Sequence, residues 1–441
     1  MPPTDATPTP APESSADPRR GVITGLGAVS PLGVGIPSFV RGLRTGAAGT
    51  RLLPFHSSLV KSSAAGVCHD FDPASVLSAA DLKRLPRLVP MALAAAREAL
   101  ALAGLNPADV NTSRRIGLIL GTGGGGIDFT LAQSDRHHAG EPISLWTITN
   151  ATHGNLAGEL SILLGLRGPS LCVSTGCASS SDAAGLALDQ LRSSRPGTPD
   201  AWVVVGADAH VIEQTLHSME LLRVISPRPC ATDAEAARAA RPFDLDRDGF
   251  ILGEGAWAIV LERPTFARER GARALASLHG YGATCDAFHR VRPDPDMTES
   301  VRAIDLALRD AQLRPADVSL VHYHGTGTRL NDELETRAMK AAFGPHASRL
   351  IGHSIKGQIG HPQGASGLAA LVATCACAAG LDSAASGGFS PPTANLLTPD
   401  PACDLNYSAL GPVPMHAPAW ALINCLAFGA KNSALLAYVG G

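Results

Sequence analysis

Val173-Ser174-Thr175-Gly176-Cys177-Ala178-Ser179-Ser180-Ser181-Asp182 reads as the end of a strand, a glycine turn and the start of a helix. A short apolar run over 170–174 precedes the turn, and small and apolar residues at helical spacing follow it over 178–191. A cysteine at such a joint sits at a helix N-terminus, whose partial positive charge stabilises a thiolate. Ser179, Ser180 and Ser181 suit the first turn, where their hydroxyls cap free N–H groups. A thiolate is a soft nucleophile that forms thioesters readily. The competing reading is a buried structural cysteine, which is how Cys172, Cys375 and Cys377 are read.

Outward from this joint the same grammar repeats. Strands are expected over 21–27, 115–120 and 202–205, and a helix over 91–105 that starts after Pro90 and stops near Gly104. The second half offers strand-like runs over 274–278, 320–323, 421–426 and 435–439, with helices over 298–311 and 364–380. Short apolar runs alternating with Ala-rich helices indicate an α/β fold with central sheets. Gly176-Cys177 and Gly360-His361 each open a helix after an apolar run. A duplicated unit would bring these two helix starts together across a pseudo-twofold axis. Residues 123–126 are four consecutive glycines. They lack the Gly-Lys-Ser/Thr ending of a phosphate loop and read as a flexible turn.

Two histidine boxes lie in the second half. His324 stands in His322-Tyr323-His324-Gly325-Thr326-Gly327-Thr328, directly after a strand. His361 stands in Lys356-Gly357-Gln358-Ile359-Gly360-His361-Pro362-Gln363-Gly364. His322 and His324, two apart on a strand, share a face and could reach one ion. Zinc needs three or four ligands, and no further ligand stands at a recognisable spacing nearby, so no metal is expected. The other histidines are read as satisfied core or surface residues.

Composition removes several classes. The 441 residues are 45% hydrophobic and 17% charged, with net charge −3. No basic block supports nucleic-acid binding. No uncharged apolar run reaches the ~18 residues of a membrane span. Residues 1–19 have no signal-peptide core and read as a disordered arm. Nine scattered cysteines without paired spacing fit free thiols in a reducing cytosol, which makes a cytoplasmic location the expectation. The 46 glycines and many alanines predict closely packed layers.

Taken together, the Cys177 joint, the run Arg241-Pro242-Phe243-Asp244-Leu245-Asp246-Arg247-Asp248-Gly249-Phe250-Ile251-Leu252-Gly253-Glu254-Gly255, the His324 box, the Lys356/His361 box and the loop over 424–432 resemble the elongating β-ketoacyl-[acyl-carrier-protein] synthases. Both the fatty-acid and type II polyketide members are similar, and the resemblance runs over 21–438. It implies a thiolase-like fold of two similar halves, over 20–269 and 270–441, in five layers αβαβα. It implies that Cys177 is acylated and that His324 and His361 are its catalytic partners. Lys356 corresponds to a buried lysine that would fix charge and hydrogen bonding around His361. Phe428 corresponds to an aromatic that gates the site and whose N–H, with that of Cys177, forms an oxyanion hole. Glu254, Asp332 and Glu335 look like structural acids near the site. The implied chemistry is decarboxylative condensation of a malonyl thioester, carried on the phosphopantetheine of an acyl carrier protein, without metal, nucleotide or redox cofactor. A dimer is implied, either of two copies or with a chain-length-factor-like ketosynthase.

The sequence departs from the fatty-acid pattern at several points. Leu426 replaces an aromatic, Ala427 a glycine and Lys431 a threonine. Ala370 stands where many members place a glutamate, and Gln363 where an apolar residue is usual. Ala427 is expected to restrict motion of the Phe428 gate. These changes, with Gly-Thr-Gly-Thr-Arg-Leu-Asn-Asp after His324, favour a type II polyketide or aryl-polyene-like role. The alternatives are a housekeeping fatty-acid synthase, a chain-length partner without activity, which typically lacks the cysteine, and a coenzyme A thiolase, whose C-terminal loop differs.

Overall fold

A computed structural model describes residues 19–193, 195–382, 387–409 and 411–441. The expected arm lies outside these residues apart from Arg19. Ten strands carry the architecture: β1 Gly21–Ser30, β2 Ile116–Gly121, β3 Ser170–Val173, β4 Ala201–Asp208, β5 Gly255–Glu262, β6 Ala276–Cys285, β7 Val318–His322, β8 Ile351–His353, β9 Ala419–Ala427 and β10 Lys431–Val439.

Strand order in the first half is β3-β2-β4-β5-β1, and in the second half β8-β7-β9-β10-β6. Each half begins with three parallel strands and ends with two antiparallel steps. The second half therefore repeats the first strand for strand. The repeats join where β1 and β6 pair antiparallel through Gly21–Leu278, Val22–Ser277 and Ile23–Ala276.

Side-chain alternation sets the layers, because neighbouring residues on a strand face opposite sides. Ala421, Ile423, Leu435, Ala437 and Val439 face a central layer, while Leu422, Ala434 and Leu436 face outward. The central layer holds helices α2 Ser179–Arg192 and α3 Ser366–Ala378, packed between the two sheets. Helix α1 Leu88–Ala103 covers the outer face of the first sheet. Helices Thr298–Asp310 and Arg329–Phe343 cover that of the second. The result is α, β, α, β, α in five layers.

Small residues make the central layer thin. Every residue of α3 is buried. A Cβ on Gly367 would lie 2.1 Å from the Ser181 hydroxyl, and one on Gly206 2.6 Å from the Ser180 Cβ. The starts of α2 and α3 thus meet, as the duplicated pattern predicted. Helix boundaries moved in one instructive place. The first outer helix begins at Leu88, not after Pro90. Proline fits a first turn because the N–H groups there have no intrahelical acceptor.

Candidate active site

The Cys177 joint forms as a strand, a turn and a helix. Gly176 takes φ +66°, and a Cβ there would meet the Phe428 carbonyl at 3.2 Å. The serines do a different job from the expected N-capping. The Thr175 N–H donates to Ser179 Oγ at 2.9 Å, and Ser179 Oγ donates to the Gly176 carbonyl at 2.6 Å, which fixes the turn. Ser180 Oγ accepts the Leu368 N–H in the first turn of α3 at 2.9 Å. It therefore caps the neighbouring helix rather than its own.

Cys177 is buried. Burial pushes its thiol up to about 11, against the pull of the Lys356 ammonium and the Phe428 N–H. At rest the group is a thiol rather than the thiolate expected from the helix terminus alone. The Phe428 N–H faces the sulfur. Phe428 packs against the apolar cluster of Leu216, Ile225, Phe250 and Leu252.

The two histidines arrive from the second half. The Cys177 sulfur and one ring nitrogen each of His324 and His361 lie within 4.8 Å of one another, all three residues buried. The imidazole rings stand edge to face, 5.3 Å between centroids. Burial, then the nearby Lys356 charge, holds both well below the usual histidine range. Both rings are therefore neutral at pH 7, each with one N–H to donate. Ser366 Oγ lies 3.0 Å from Nδ1 of His361, and Cys425 Sγ lies 3.6 Å from Nδ1 of His324.

His324 is held through its backbone. Glu335 accepts the N–H groups of His324 at 2.7 Å and Gly325 at 2.8 Å, and the Asn424 amide at 2.6 Å. Lys356 Nζ donates to the His324 carbonyl at 2.6 Å. The lysine thus secures His324 by a hydrogen bond and acts on His361 by charge, with no hydrogen bond to that ring among the described residues. Asp332 accepts the N–H groups of Phe243, Thr326 and Gly327, which shapes the loop after His324. Glu254 sits farther back, accepting from Cys68 N–H at 3.0 Å and pairing with Arg87 at 2.7 Å. His322 makes its own contacts behind the site. Its ring meets His353 at 4.4 Å and its Nδ1 lies 3.4 Å from Thr374 Oγ1.

Asp208 escaped the sequence reading. Fully buried at the end of β4, it accepts from the Thr122 hydroxyl and from the N–H groups of Gly123, Gly124 and Gly364, at 2.7 to 2.9 Å. The glycine turn is therefore a fixed anion nest filled by the protein's own carboxylate. The same carboxylate ties that turn to the loop after His361. An acid ending the apolar run Trp202-Val203-Val204-Val205-Gly206-Ala207 was the available signal. Cys425 was the second omission: its thiol donates to the Cys177 carbonyl at 3.0 Å.

A cavity of about 500 Å³ opens above Cys177, His324 and His361. Phe250, Thr326, Thr328 and Phe428 line it, and Arg223, Arg292, Arg329 and Lys431 bring positive charge to its wall.

Residues 19–267 match the family model of the beta-ketoacyl synthase N-terminal domain, and residues 275–382 match that of the C-terminal domain. The chain is 35% identical to 3-oxoacyl-[acyl-carrier-protein] synthase 2 of Synechocystis sp., covering 95% of this chain and 97% of that one. A solved type II polyketide ketosynthase, bound to its acyl-carrier protein and a hexaketide, superposes with TM-score 0.83 at 29% identity, covering 96% of this chain and 100% of that one. The ishigamide ketosynthase/chain length factor gives TM-score 0.84 at 30% identity, with the same coverage. Matched by both domain models over most of its length and by a relative at 35% identity, the chain belongs to the beta-ketoacyl synthase family of acyltransferases.

Proposed function

We propose that this chain condenses a malonyl thioester with an acyl chain held on Cys177, in type II polyketide assembly. The observation that carries the reading is the convergence of one sulfur and two neutral imidazoles within 4.8 Å beneath an open cavity. An acyl thioester arrives on a carrier's phosphopantetheine. Cys177 Sγ attacks its carbonyl, the carrier's C–S bond breaks, and the thiol proton passes to the pantetheine sulfur. The N–H groups of Cys177 and Phe428 hold the oxyanion. A malonyl thioester then loses CO2, and its C–C electron pair becomes an enolate. N–H groups of His324 and His361 stabilise the enolate oxygen. The enolate carbon attacks the Cys177 thioester, and the released sulfur takes up a proton. The balance closes with no metal, nucleotide or redox group.

Arginines at the cavity wall suit an acidic carrier protein. The edge strand β3 ends the sheet with Ser170 and Leu171 exposed. Nearby Leu145, Ile148 and Ile162 are each about three-quarters exposed. This face fits pairing with a second ketosynthase-fold subunit, either a copy of this chain or a chain-length-factor-like partner. The likeness to a solved type II polyketide ketosynthase and the altered 424–432 loop support the polyketide role. The identity to the Synechocystis synthase favours the alternative, fatty-acid elongation.

A panel of saturated, polyenoic and poly-β-keto acyl carriers separates the two. Faster extension of the unsaturated or oxygenated chains supports polyketide assembly, and a preference for saturated chains supports fatty-acid elongation. His324→Ala is expected to lose malonyl decarboxylation while retaining self-acylation by mass spectrometry. Unchanged decarboxylation would remove His324 from the enolate step.

A further inference from the structure

Gln363 stands two residues after His361 in the loop that opens α3. Its backbone takes φ +45°, a region side-chain-bearing residues seldom occupy. The loop around it is pinned: the His361 N–H donates to the Ile251 carbonyl at 2.7 Å and the Gly364 N–H to Asp208 at 2.7 Å. This strained, fixed backbone brings the Gln363 amide under the nucleophile. Gln363 Oε1 accepts from the Cys177 thiol at 3.5 Å, and both side chains are more than nine-tenths buried. The other end of the amide, Nε2, is buried and finds no hydrogen-bond partner among the described residues.

An amide offers one acceptor and two donors on a group that turns about a single bond. Facing a thiol, its oxygen accepts the S–H. Facing a thiolate, the same oxygen would repel, and an N–H is needed instead. Half a turn of the amide exchanges the two. Because Nε2 has no partner here, that turn breaks no hydrogen bond other than the one the departing proton already ends. A buried donor left without a partner is unfavourable, and the thiolate supplies that partner at the moment of attack.

We propose that Gln363 is a positioning residue for the nucleophile: its amide accepts from the Cys177 thiol at rest and turns to donate to the sulfur once the proton leaves. The proposal rests on Cys177 being the nucleophile. It adds a donor to the sulfur from a residue that does not line the cavity. The strained backbone at Gln363 is then part of the working site rather than an incidental cost.

The test is the pH dependence of Cys177 alkylation by iodoacetamide, followed peptide by peptide in the full-length protein. Exposed Cys285 serves as the internal reference. Gln363→Met keeps length and removes the donor, so the Cys177 profile should move up by about one pH unit, or about tenfold slower reaction at a given pH. Gln363→Glu supplies only a repelling acceptor and should move it further, while Cys285 stays put in both. If Gln363→Met does not fold, Gln363→Asn carries the test, since withdrawing the amide by one methylene should shift the profile the same way. A Cys177 profile that does not move in the folded variants, or that moves only in step with Cys285, overturns the proposal. Alkylation reports on the sulfur's proton whether or not condensation occurs. Failure here is thus distinct from failure of the condensing role, which would appear as a Cys177→Ala variant that still extends acyl chains.

Discussion

Glu335 lies behind His324 and holds its backbone. Its carboxylate gathers the His324 and Gly325 N–H groups and the Asn424 amide, and burial raises its proton affinity to about 7. Truncation leaves three buried donors without an acceptor, at roughly 1–3 kcal/mol each. Glu335→Ala is therefore expected to lower the urea-unfolding free energy by about 3 kcal/mol or more and to abolish condensation through a displaced His324. A stability within 1 kcal/mol of wild type would contradict this. Wild-type Cys177 should itself react slowly at neutral pH. With its thiol at about 11, the thiolate fraction grows about tenfold per pH unit below that value, so alkylation should still be climbing at pH 10. A plateau below pH 9 would mean that the site stabilises the thiolate far more than burial allows. Cys177, His324 and His361 were legible because each stands beside glycine where a strand or loop gives way to a turn. Asp208 was not, because a carboxylate whose partners are backbone N–H groups leaves no pairing pattern in the sequence.

At the scale of elements, the joints carry the information. The turn over 123–126 looked mobile because glycine permits many conformations. Its conformation is instead chosen by Asp208 from the end of β4, a partner 84 residues or more away. Asp208→Asn would set an amide NH2 against N–H groups that need an acceptor. We expect a loss of about 2–3 kcal/mol and, because Gly364 is released, a fall in condensation beyond what the lost folded fraction explains. Equal loss of activity and folded protein would show that the turn and the His361 loop are not coupled. The serines after Cys177 were misread for a related reason. Capping chemistry is visible in a sequence, but which helix a serine caps depends on its neighbour. Ser180 reaches the start of α3 because the two helix starts meet in the central layer.

The whole molecule is a duplication whose site exists only where the copies meet. Composition foretold the close central layer, and two similar Gly-led helix starts foretold the repeat. The strand order was not legible, because apolar runs of similar length do not specify their neighbours. Nor was the buried pair His322 and His353, which lies on adjacent strands β7 and β8. An imidazole in the unfolded chain binds its proton below about 6.5. Burial holds His353 down to about 3 and His322 well below its ordinary value. The unfolded state therefore takes up protons first, and each such histidine makes stability fall as pH drops from 6.5 toward 3. Relative to wild type, His353→Gln should flatten this decline by about 1.4 kcal/mol per pH unit, measured by urea unfolding at pH 7, 6 and 5. Parallel slopes would show that His353 is protonated in the folded protein. The central claim, that a sulfur from one half and imidazoles from the other form one condensing centre, is tested most directly by mass spectrometry of the Cys177 peptide. After incubation with an acyl carrier, the peptide should gain the acyl mass; added malonyl carrier should then discharge it, leaving a β-keto chain two carbons longer on the carrier. Acyl mass on another residue, or on Cys177 with no discharge, would contradict the account.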